Sequence, residues 1–114
     1  MTNRTKAPVK LGAPGRKLWD SITSEFELAE HELAQLEEAA RVRDMIARLR
    51  KQVDSDGTMI DSSQGVRLHP GIAEIRQQQL ALARLLATLG VPALAEDDLP
   101  ASRGVRGVYT GRRS

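Results

Sequence analysis

Two carboxylates flank an imidazole at Glu30-His31-Glu32, the residue types that hold a divalent metal or relay a proton. Successive residues of a helix point in different directions, however, so three neighbours do not close around one ion. The second histidine, His69, sits on another element without companion ligands, and no metal or other cofactor is expected. Nucleophilic chemistry has equally little to work with. The chain has no Cys, Ser62 and Ser63 fall in a Gly/Ser turn, and His69 reads as a helix-boundary residue rather than as a base. No G-x-x-x-x-G-K-[ST] phosphate loop occurs, so nucleotide hydrolysis is not expected either. No catalytic residue is nominated, and the chain reads as a non-enzyme.

What remains is charge, and its distribution says more than the net of +2. Arg4, Lys6, Lys10, Arg16 and Lys17 stand near the N-terminus with no acid among residues 1–17, and Arg103, Arg106, Arg112 and Arg113 stand among residues 101–114, again with no acid. Those nine cations leave eight basic against fifteen acidic residues between 18 and 100, a body of −7 between ends of +9. Basic arms on an acidic body fit a polyanion, with Arg on phosphate and Tyr109 stacking on a base. A third cluster, Arg41, Arg48 and Lys51, closes the second helix, where the helix dipole alone also favours cations. The competing reading is that the basic ends serve only solubility or a neighbouring acidic surface.

These side chains have to be positioned by a small chain. At 114 residues it allows one domain, and without Cys a core of this size is stabilised by self-association. Residues 1–14, with Pro8, Gly12 and Pro14, read as a flexible basic arm. Residues 15–92 read as a helical oligomerisation core, and 93–114 as a flexible tail, first acidic (Glu96, Asp97, Asp98) and then Arg/Gly-rich.

Within the core, Leu18, Trp19, Ile22 and Phe26 space a first helix over Gly15 to Phe26, with Trp19 as a core residue. Leu33, Leu36, Ala39, Ala40, Val42, Ile46, Leu49 and Val53 mark a second from Ala29 to Asp54. Gly57 supplies its stop, suited to a left-handed cap, and Thr58 to Leu68 reads as a small hairpin or irregular loop around Ser62-Ser63-Gln64-Gly65. Pro70 opens a third helix that ends at Gly90 with Pro92 just beyond. The expected fold is mainly α: a short N-terminal helix, a long antiparallel helix pair and a small β-hairpin-like insert. On the third helix the apolar arc of Leu80, Leu82, Leu85, Leu86 and Leu89 is wider than one partner helix needs, so these leucines are nominated as an interface with another copy.

The order Trp helix, long helix, Gly, short insert, His69-Pro70, helix, Leu89-Gly90-Val91-Pro92 resembles the small terminase subunit of tailed bacteriophages. The resemblance covers roughly Gly15 to Pro92 and picks up again at Ser102-Arg103. It implies a ring-shaped homo-oligomer that recognises double-stranded viral DNA and regulates a separate large terminase subunit carrying ATPase and nuclease activities, in the cytoplasm of an infected bacterial host. With no apolar run of membrane length and no signal-like N-terminus, no membrane partner is expected. Read as a helix-turn-helix, the first two helices would offer Glu30, His31, Glu32, Glu37 and Glu38 to the groove, which opposes docking in that mode. The alternative function is a self-associating helical adaptor or scaffold whose basic tails aid solubility or bind RNA; an antitoxin-like or nucleoid-associated DNA binder is more remote.

Overall fold

The computed structural model describes residues 5–91. Three helices dominate them: α1 (Ala13–Glu25), α2 (Glu30–Asp56) and α3 (Pro70–Thr88). A two-stranded antiparallel sheet, β1 (Met59–Ser62) and β2 (Gly65–Leu68), joins α2 to α3. The mainly helical fold with a small hairpin insert is therefore the one the sequence predicts.

Each boundary has a local cause. Glu32 Oε1 accepts from the Ala29 N–H at 2.8 Å, satisfying a donor ahead of the first turn of α2. Its other end stops at Gly57, whose N–H reaches Val53 O at 2.7 Å. Gly57 has φ 90° and ψ 158°, a region open essentially to glycine alone. This is not the left-handed cap expected for it: the extended ψ sends the chain straight into β1 instead of folding it back. At the start of α3, His69 Nδ1 accepts from the Gly71 N–H at 2.9 Å, with Pro70 at the first helical position. The far end closes with Gly90 at φ 79°, Gly90 N–H on Ala87 O and Val91 N–H on Leu86 O, the paired bonds of a Schellman close. Buried Val91 supplies the apolar contact that goes with it.

The central element is α2, which packs against both α1 and α3. Trp19 and Ile22 of α1, Leu36, Ala39, Ala40 and Ile46 of α2, and Leu82 and Leu86 of α3 form the core, with Leu11 and Val91 added from either end. No helix packs broadly on the hairpin.

Three expectations need correction. Leu82 and Leu86 are fully buried inside the chain and belong to its own core, because α2 already covers that side of α3. Leu85 and Leu89 are half-buried against the same core, and Leu80 alone of the five is exposed. Residues 5–12 are no loose arm: Leu11 is buried and the Trp19 indole N–H donates to Thr5 O at 3.1 Å. A buried indole needs an acceptor, and this strand of backbone provides it. Phe26, expected on the α1 stripe, falls just past the helix in extended backbone and is exposed.

Candidate nucleic-acid interface

The strongest polar feature of the described chain fixes the start of α1. That helix opens Gly12-Ala13-Pro14-Gly15 and has no side-chain cap of its own. Instead Asp44, about midway along α2, accepts from the Gly12 N–H and the Gly15 N–H, each at 2.7 Å. Its carboxylate is buried, and both of its bonds are charge-assisted. Pro14 has no N–H to satisfy, so one carboxylate serves the first turn at little loss. The approach is close enough that a Cβ on Gly15 would lie 2.6 Å from Ala40 O and 2.6 Å from an Asp44 oxygen. Two glycines on one helix and an alanine and aspartate on the next thus act as a single joint.

That joint sets where the cations go. Lys6, Lys10, Arg16 and Lys17 are all exposed around the start of α1. Lys10 holds φ 68°, a left-handed conformation that a lysine adopts at a cost of about 1–2 kcal/mol; the turn it makes directs Leu11 into the core. Arg41 and Arg48 lie three residues before and four after Asp44, on the same side of α2. Docking Gly15 on Ala40 and Asp44 therefore sets Arg16 and Lys17, the next two residues of α1, beside the stretch of α2 that carries Arg41. Arg41 is half-buried and is held by Glu37, one turn back, through Nη2 at 2.6 Å and Nε at 3.2 Å. Arg48 and Lys51 are exposed. A shallow open depression along α1 is lined by Ala13, Arg16, Lys17, Asp20, Ser21 and Ser24. Asp20 there works against an anion, and the Ser24 hydroxyl is already bonded to Ser21 O. Arg4, Arg103, Arg106, Arg112 and Arg113 lie outside the described residues.

Sequence reasoning missed Asp44. The available signal was an acid set between Arg43 and Met45 in the apolar-spaced run from Ala40 to Ile46, together with a helix start lacking Ser, Thr, Asp or Asn. The pairing of the two was invisible because 29–32 residues separate them.

A second polar joint ties the two long helices at the hairpin. His69 Nδ1 accepts from Gly71 N–H, so Nε2 carries the proton and donates to Asp56 Oδ2 at 2.9 Å. The Gln52 amide donates to the same oxygen at 2.9 Å, and these two bonds, Gln52 first and His69 second, hold the Asp56 carboxyl below its ordinary range. His69 is thus the helix-boundary residue the sequence predicts. His31 is exposed near the start of α2, and among the described residues no group of three or more His, Asp or Glu side chains could hold a metal ion. None of the described helices is long and apolar enough to cross a membrane.

The chain matches no protein-family model, no curated protein and no solved structure.

Proposed function

We propose that this chain is the non-catalytic DNA-recognition subunit of a phage genome-packaging terminase, a self-associating protein that delivers viral DNA to a separate large subunit. The reading rests on the order of elements, a Trp helix, a long helix, a Gly-initiated insert, His69-Pro70 and a closing helix, and on where the cations stand. The observation that carries it is the exposed group Lys6, Lys10, Arg16 and Lys17, on a segment held to α2 through Asp44. A fixed cation group binds phosphate with less ordering entropy than a free arm.

Because residues 5–12 are part of the packed structure, charge substitution tests the proposal better than truncation. Lys6, Arg16 and Lys17 changed together to Gln remove three exposed charges from residues that contribute little to the core. If all three meet phosphate, the slope of log affinity for duplex DNA against log salt becomes shallower by roughly 2.7. Fluorescence anisotropy on a labelled duplex over a salt series measures it. An unaltered slope removes these residues from the interface, and a wild-type protein without salt-sensitive duplex binding favours the adaptor reading.

A further inference from the structure

The hairpin presents an apolar face that its own chain leaves uncovered. Residues directly opposite each other in an antiparallel pair share a face, as do residues two apart on one strand. The register pairs Met59 with Leu68 and Asp61 with Val66, so these four side chains stand on one side. Met59 is 53%, Val66 65% and Leu68 52% exposed. A two-stranded sheet by itself is marginal in water, yet no helix packs broadly on this one. On α3, the exposed face carries a matching patch. Arg76, Leu80 and Arg84 recur every fourth residue and are all exposed, with exposed Ala73 and Ala87 extending the row. The hairpin face is apolar around one carboxylate, and the α3 face is apolar around Leu80 between two guanidinium groups. Their charges are complementary, and the two patches lie on different elements of the same chain.

We infer that the hairpin face of one copy, Met59, Val66 and Leu68 around Asp61, docks on the Arg76-Leu80-Arg84 face of α3 in a second copy. The inference rests on the self-association in the proposed function and adds its geometry. Joining two different patches makes the contact head-to-tail, so each copy uses its hairpin on one neighbour and its α3 on the other, and the assembly closes as a ring or grows as a filament. Val66 and Leu68 would meet Leu80, and Asp61 would lie between Arg76 and Arg84. The occupant is a second copy rather than a different protein because this chain already carries the complement of its own hairpin.

The test uses two broken full-length chains and native mass spectrometry. One carries Val66→Lys with Leu68→Lys, the other Leu80→Lys; all three positions are exposed, so circular dichroism is expected to match wild type. Each variant alone is expected to be monomeric. Mixed in equal amounts they are expected to form a one-to-one dimer and nothing larger, since the intact hairpin of one meets the intact α3 of the other. As a second arm, Asp61→Arg disrupts assembly, and a partner chain with Arg76→Glu and Arg84→Glu restores the pairing. Either lysine variant assembling like wild type, or a mixture that stays monomeric, overturns the inference while leaving self-association standing. A monomeric wild type overturns both, and duplex binding by that monomer would show that DNA recognition survives without them.

Discussion

Replacing Asp44 with Ala removes the acceptor for two N–H groups, one buried and one partly buried. An N-cap side chain contributes about 1 kcal/mol, hydrogen bonds to a charged group about 1.5–3 kcal/mol, and a donor left buried without a partner carries a penalty of its own. Water replaces the partner at the partly buried Gly12 but not at Gly15, so the expected loss is about 3 kcal/mol. In a domain of this size that corresponds to a fall in melting temperature of roughly 15 °C. Asp44→Asn is the informative companion. Its amide keeps one oxygen for one N–H but turns an NH2 toward the other, and its loss should be smaller, about 1–2 kcal/mol. Urea unfolding is the assay, read by far-ultraviolet circular dichroism and by the fluorescence of Trp19, which is buried on α1. A loss under about 1 kcal/mol for Asp44→Ala would refute the reasoning, as would an Asp44→Asn protein less stable than the alanine variant.

Other perturbations have equally definite outcomes. Gly15→Ala, ordinarily favourable in a helix by up to about 1 kcal/mol, is expected to destabilise by about 2 kcal/mol or more, because its Cβ would meet the backbone oxygen of Ala40; a thermal melt equal to or above wild type would contradict it. Lys10→Gly relieves the positive φ and is expected to raise stability by about 1 kcal/mol, while weakening duplex binding at low salt; calorimetry and anisotropy on the same preparation separate the two effects. The lowered pKa of Asp56 contributes stability that is present above its unfolded value, about 3.9, and is lost as pH falls through that value toward the lower folded one. Asp56→Asn should therefore lower stability in the neutral range and flatten the acid limb, the two proteins converging at a pH below the folded value; a constant difference between them from neutral to acid pH would exclude this role.

Much of this architecture was legible in the residues. Pro70 and Gly90 marked both ends of α3, and Ser62-Ser63-Gln64-Gly65 marked the hairpin turn, because each acts through local backbone preference. The leucine arc of α3 was legible only as an arc. Periodicity gives the width of an apolar face but not which part the same chain will cover, and α2 takes Leu82 and Leu86 while leaving Leu80. Residues 5–12 carry no periodic signal since they form no regular element, yet Leu11 is buried in the core and Thr5 O takes the Trp19 indole N–H. Of the candidate site, the sequence shows the cations without their frame. Lys10, Arg16 and Lys17 were visible as charge, whereas the aspartate that holds them to α2 could be paired with its glycines only in three dimensions.

Borrowing its cap from α2 makes α1 the least autonomous helix of the three. An isolated helix of 13 residues is marginal even with a good cap, so α1 depends on its packing against α2. Hydrogen exchange is expected to find the loss and return of α1 as a separate, lower-energy opening, in which Gly12, Gly15 and the Trp19 indole, all bonded through this docking, exchange together while α2 and α3 stay protected. The exposed cations of residues 6–17 move with that opening. A polyanion gripping Lys10, Arg16 and Lys17 in the closed form would slow exchange at Gly15 by the factor with which it prefers that form, which links charge recognition at the surface to whether the first helix exists at all.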